Sequence, residues 1–305
     1  MQNIRKILIP VDFEKPSKEA AMYAGSLASK KNAELLLLNV IDTPGLLAGY
    51  FADGDELVRL TDKVKEKLFQ LSGKIRDAFP GVKVKTRVER GKPYTKILDL
   101  AKESGVCRII LGENHQYGNP DDELGTTVYH VTLKSNVPVL TLKGDLSRMN
   151  EKIVVPLDLT KKTREQLSAA LFYGLDSGAK VYLVSALVGG ILAKDSRIYK
   201  KLEEAKKSLE MNGVPCEMKL FQRSEVPPFK RVLEYSEDIG AGMILLMTHQ
   251  EGYTHDNYIG AFAHHIMNLS RISVLSITNF SNNLDFSPFF KTLVDPLGVF
   301  SKIKI

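Results

Sequence analysis

The sequence has no tryptophan and two cysteines among its 305 residues, and its most apolar stretch, AELLLLNVI, runs from position 33 to 41. That stretch is about half of the ~20 residues a membrane-spanning helix needs, so no membrane is expected as a partner. Cys107 and Cys216 stand far apart in unrelated contexts, which excludes a disulfide framework or a multi-thiolate metal site. The opening MQNIRKILIPVD reads as a strand rather than a signal peptide, so the expected compartment is the cytoplasm. Nor is there a surplus of one charge. The 42 basic and 36 acidic residues give +6, divided evenly between the halves. Runs such as KVKEKLF and YKKLEEAKK mix both signs at helical spacing, the pattern of a solvated helix face, so nucleic acid is not an expected partner.

Enzyme signatures are also missing: there is no Gly-x4-Gly-Lys-Ser/Thr loop, no Gly-x-Ser-x-Gly elbow and no Ser-Gly-Gly loop. Acids such as Asp121 and Asp122 adjoin, but nothing sets one as acid and the other as base, so the catalytic set is empty. All six histidines (His115, His130, His249, His255, His264 and His265) fall in two corresponding segments. No pair has His-x3-His spacing, and the neighbours His264 and His265 point to different faces of a helix, so no metal is expected there.

What is present is a repeat. KILIPVDFEKPS at 6–17 returns as KIVVPLDLTKKT at 152–163, and NAELLLLNVID at 32 returns as GAKVYLVSALV at 178, both at an offset of 146. RIILGENH at 108 matches GMILLMTH at 242 after one gap, and VPVLTL at 137 matches ISVLSI at 272. Whole strand-like blocks recurring in order mean a duplicated domain rather than a short-period solenoid. The domains are placed at 1–145 and 151–280, joined near KGDLSRMNE, with a tail over 281–305.

In the first half, β-rich runs at about 5–11, 34–41, 82–89, 107–112 and 138–142 alternate with helical patterns at about 16–30, 54–79, 93–104 and 124–135. Pro16 and Pro93 suit helix starts and Pro80-Gly81 a stop. Leu57, Leu60, Val64, Leu68, Leu71 and Ile75 recur every three or four residues, a single buried stripe. This order predicts an α/β fold in two tandem Rossmann-like domains, each a five-stranded, mostly parallel sheet flanked by helices. Ligands of such sheets bind at the carboxyl ends of strands where the strand order switches. That rule selects the end of strand one (Pro10, Asp12), the end of strand two (Val40, Asp42) and the loop after strand four.

That loop, GENHQYGNPDDELGTT, places Gly112 thirteen residues before Gly125 and fourteen before Thr126. With ILIPVDFEKPS, LLLLNVID and VPVLTL, it resembles the universal stress protein family, and the resemblance covers about 4–143 and 151–278. Nucleotide-binding members carry Gly-x2-Gly-x9-Gly-Ser/Thr there, since glycine lets backbone approach phosphate and the next helix start supplies donors. The resemblance implies an adenine nucleotide alpha hydrolase-like fold and a site for ATP or another adenine nucleotide, with magnesium able to bridge acids and phosphates. Its residues would be Pro10, Asp12, Val40, Gly112, His115, Gly125, Thr126 and Thr127. His115 stands where the family's middle glycine would be, with Gly118 three residues on. Asp121, Asp122 and Glu123 precede the helix start, where carboxylates compete for the anion position. Asp12, Thr126 and Thr127 each have a structural reading as well, the acid capping a turn and threonine capping a helix.

In the second half Met247, Gln250 and Ala261 replace the loop's first glycine, middle glycine and hydroxyl, while Asp158 persists, so its site is degenerate. The resemblance also implies pairing of the two domains through VPVLTL and ISVLSI, with homodimerisation and unidentified protein partners as further contacts. The function expected is ligand and protein binding in stress response. A scaffold or a binder of an apolar ligand, with both loops serving packing, is the alternative. The tail, with Phe280, Phe286, Phe289, Phe290, Phe300, Pro288 and Pro296, reads as a strap or as a partner-recruiting segment.

Overall fold

The computed structural model describes residues 5–42, 54–113, 124–157, 163–186, 197–222, 225–248, 250–251 and 258–278. The chain divides into two compact units, Met1–Leu142 and Lys143–Ile305. His115, Asp158 and the tail lie outside the described residues.

In the first unit β1 (Lys6–Pro10), α1 (Lys15–Lys31), β2 (Glu34–Ile41), α2 (Gly54–Ala78), β3 (Lys83–Arg90), α3 (Pro93–Ser104), β4 (Arg108–Gly112), α4 (Thr126–Lys134) and β5 (Val139–Leu142) follow in strict alternation. The strands lie in the order β3-β2-β1-β4-β5, all parallel. Parallel strands covered on both faces must be apolar throughout, and β2 shows it: every residue of ELLLLNVI but Val40 is buried. β3, at the edge, is the exception. Its KVKTRVER is mostly exposed, and charged edge residues discourage pairing with another chain.

The helices form two packed pairs, α1 with α2 and α3 with α4. α1 has Pro16 in its first turn and ends on Asn32 in the left-handed conformation; α3 starts on Pro93 and ends on left-handed Gly105. α2 buries Val64, Leu68, Leu71 and Ile75 along one stripe. Small residues on α1 permit a close approach to its neighbours: Ala20, Ala21, Ala24 and Ala28 are buried, and a Cβ on Gly25 would stand 2.6 Å from the Phe79 ring.

The second unit repeats this plan. Its elements are β6 (Lys152–Pro156), α5 (Arg164–Ser177), β7 (Lys180–Ala186), α6 (Arg197–Met211), β8 (Cys216–Phe221), α7 (Pro228–Asp238), β9 (Met243–Thr248), β10 (Gln250–Glu251), β11 (Tyr258–Ile259), α8 (Ala261–Leu269) and β12 (Ser273–Thr278). Within it the parallel order is β12-β9-β6-β7-β8, the same as in the first unit, while β10 and β11 pair antiparallel outside that sheet.

The duplication extends to single hydrogen bonds. Ser135 Oγ caps its own turn, donating to the Val137 carbonyl and accepting from its amide, and Ser270 does the same with Ile272. No helix among the described residues is long and apolar enough to cross a membrane.

Candidate functional site

In the first unit the strand order turns at β1, with β2 and β3 on one side and β4 and β5 on the other. β1 and β4 pair only through Ile7↔Arg108 and Leu8↔Ile109, so beyond them the carboxyl ends splay. β1 and β2 stay joined past the strand end instead. The Val11 amide donates to Leu38 O at 2.7 Å, and the buried Asn39 amide donates from Nδ2 to Val11 O at 2.6 Å. In the second unit, 146 residues on, the Leu157 amide donates to Val184 O and Ser185 Oγ to Leu157 O. Asn39 and Ser185 therefore hold the strand ends that carry any site.

Past this clamp Asp12 is exposed, and its Oδ1 accepts from the Glu14 amide at 2.9 Å and from Ser17 Oγ at 2.5 Å. The turn-capping role of Asp12 is thus present, with one carboxylate oxygen carrying both bonds. Between them Phe13 has φ 70°, a left-handed conformation that costs a side-chain-bearing residue about 1–2 kcal/mol, and the Lys67 ammonium of α2 lies 5.4 Å from its ring centre. Val40 is half-buried at the end of β2, opposite Glu89 of β3.

Gly112 ends β4 directly against the start of α1. A Cβ there would stand 2.1 Å from Pro16 O and 2.7 Å from the Ser17 amide nitrogen. The glycine is therefore required by helix packing whatever occupies the loop, and it joins β4 to the turn that holds Asp12.

Gly125 differs: its φ of −53° is open to any residue, and a Cβ on it would meet nothing within 4 Å. It is the N-cap of α4, and it has no side chain to cap that helix. Threonine capping by Thr126 is thus overturned, because Thr126 is already the first helical residue. Thr126 is exposed and Thr127 half-buried. An uncapped helix start is the local chemistry of an anion site. The residues present fit a phosphate-bearing nucleotide here.

The second unit is built differently at the same place. Met247 is buried where β4 has Gly112, and α5 begins at Arg164, which the 146 offset maps to position 18, three residues after the start of α1 at Lys15. With a side chain at 247 the helix start cannot make the approach that Pro16 makes to Gly112. Gln166 takes up the space: buried, it donates from Nε2 to Pro156 O at 2.7 Å and toward Leu245 O at 3.4 Å, tying β6 to β9 where they splay. Its counterpart in the first unit is the buried Ala20.

Two aromatic contacts that periodicity gave no reason to single out brace the last helices. Tyr94, next to Pro93, lies tilted by 31° against His130 of α4 with ring centres 4.4 Å apart, and the equivalent Phe229 stacks on His265 of α8 at 4.3 Å. The His265 Nδ1 faces the Ala261 carbonyl at 2.6 Å, whereas the His130 Nδ1 is buried without a hydrogen-bond partner. Burial first and the Lys134 charge second hold the His130 pKa below its ordinary value. The unfolded chain therefore binds the extra proton first, and this contact's stabilisation, complete above about pH 6.5, declines as pH falls below it. We expect the first unit's melting temperature to drop from pH 7.5 to 5.5 and that drop to shrink in His130→Phe, read by circular dichroism. Equal slopes in both proteins would refute it.

Among the described residues no group of three His, Cys, Asp or Glu is arranged to hold a metal. Both cysteines are free thiols, and burial raises their pKa, that of Cys216 to about 12, so neither is a nucleophile at neutral pH.

A mostly parallel sheet flanked by helices, built twice in one chain, defines a Rossmann-like class of α/β protein. Residues 3–143 belong to the universal stress protein family, whose model they match. The chain is 29% identical to universal stress protein MJ0577 of Methanocaldococcus jannaschii over 155 residues, covering 46% of this chain and 94% of that protein. The solved structure of MJ0577 is 30% identical, with 47% of this chain and 98% of that one covered and a TM-score of 0.41. A universal stress protein from Archaeoglobus fulgidus, 20% identical, matches 90% of this chain and 98% of its own with a TM-score of 0.74, a likeness of fold that spans both halves.

Proposed function

We propose that this is a cytoplasmic stress-response protein that works by binding and contact, with one adenine-nucleotide site per chain, in the first unit. The observation that carries this reading is the start of α4, where the N-cap Gly125 has no side chain to cap the helix and a Cβ on it would meet nothing within 4 Å. Thr126 and Thr127 would add hydroxyl donors to the phosphates, Asp12 would meet the ribose through its second carboxylate oxygen, and Val40 and Pro10 would border the base. His115 would sit beside the phosphates, and magnesium would offset the acids at 121–123. Family membership supports the stress-response role.

Met247 and Gln166 favour a different part for the second unit, in which packing replaces ligand and the domain serves as a scaffold. Pairing through VPVLTL and ISVLSI and a homodimer of tandem chains belong to the same proposal, and sedimentation velocity of the whole chain reads the latter.

The test is mass spectrometry of small molecules released on denaturing fresh protein, followed by calorimetric titration with ATP, with and without magnesium. One adenine nucleotide per chain is expected. Two per chain would overturn the closed second site, and none by either route would leave the scaffold reading for both units.

A further inference from the structure

α8 carries an apolar strip that its counterpart α4 lacks. Phe262 and Leu269 lie seven residues apart, on one face of the helix, and are 37% and 45% exposed. At the equivalent positions, 135 residues earlier, the first unit has Thr127 and Lys134. Between Phe262 and Leu269 on α8 sits His265, stacked on Phe229 of α7, and Val226 just ahead of α7 is 42% exposed where the first unit has Gly91. Solvent-exposed apolar residues joined along one helix face mark a contact surface.

The chain offers an occupant for one unit only. After β12 ends at Thr278 the sequence runs on to 305, 27 further residues (305 − 278), of which twelve are Phe, Leu, Val or Ile. In a parallel α/β unit every helix starts at the sheet edge where every strand ends, so the chain leaves Thr278 at the edge where Phe262 opens α8. The strip from Phe262 to Leu269 is about 10 Å long at 1.5 Å per helical residue. Three or four extended residues cover that length at about 3.3 Å each, so reach is ample.

We propose that residues 279–305 fold back along the outer face of α8, their phenylalanines covering Phe262 and Leu269, and so form a strap specific to the second domain. The strap makes the duplicated halves unequal on their surfaces as well as in their loops, and it is independent of nucleotide binding.

The experiment is the rate of maleimide labelling at Leu269→Cys in the full chain, in the chain cut before Ser281, and in a full-length chain carrying Phe289→Ser with Phe290→Ser. Cys107 and Cys216 form a slow background because their thiol pKa values are raised. Labelling at least tenfold faster in both altered chains is expected, with Lys134→Cys, the counterpart of Leu269 in the first unit, labelling alike in all three and the full chain's protection independent of protein concentration. Equal rates at Leu269→Cys would overturn the strap. So would protection that grows with concentration, which would assign the strip to a second copy of the chain.

Discussion

Gly112→Ala should lower the melting temperature of the first unit by roughly 6–12 °C, from a destabilisation of about 3 kcal/mol in a domain of this size. The added methyl would meet Pro16 O at 2.1 Å, Pro16 C at 2.3 Å and the Ser17 nitrogen at 2.7 Å, all backbone atoms that no rotamer change can move. Gly25 supplies the contrast, since a methyl there meets only the Phe79 and Ile75 side chains, which can turn aside. Relief at Gly112 requires α1 to withdraw, and withdrawal breaks the Ser17–Asp12 bond of 2.5 Å, so nucleotide affinity should fall in the same variant. Thermal melts followed in the far ultraviolet, read for the less stable transition, decide it. An unchanged melting temperature would mean that Gly112 is glycine for the sake of a ligand and not of the helix.

Gly125→Asp should separate binding from stability in the opposite sense. A side chain at 125 meets nothing within 4 Å, and aspartate is a better N-cap than glycine by a few tenths of a kcal/mol, so the melting temperature should hold or rise slightly. The same carboxylate would take the amides of α4 and set a negative charge where phosphate would lie. A loss of at least about 100-fold in ATP affinity, roughly 2.7 kcal/mol, is expected by titration. Retained affinity would place the phosphates away from α4 and remove the main support for the proposed site.

Taken together, the two glycines show how far a motif can be read. The pattern Gly112, Gly125, Thr126 suggests one shared purpose, yet the first glycine faces a helix and the second faces open space. Asn39 illustrates the converse. In LLLLNVI it looks like a polar interruption, and only folding shows that its amide reaches Val11 O, 28 residues away in sequence. Ser185 does the same for the second unit with a shorter side chain, which explains how the role survives a change of residue.

The order of strands and helices along the chain and the duplication at offsets of 146 and 135 could be read from the sequence, because each is written as periodicity along the chain. Runs such as LLLL and KVKTRVER state their burial, and Pro16, Pro93 and Gly105 their helix limits, without reference to distant segments. Tertiary structure alone decided that Gly112 meets Pro16, 96 residues away, that Gln166 and Met247 close the second copy, and that α4 starts uncapped on Gly125. Those facts are through-space distances between segments far apart in the chain. Spacing along a sequence encodes which face a residue takes, but only packing sets how closely two faces approach and whether space remains between them.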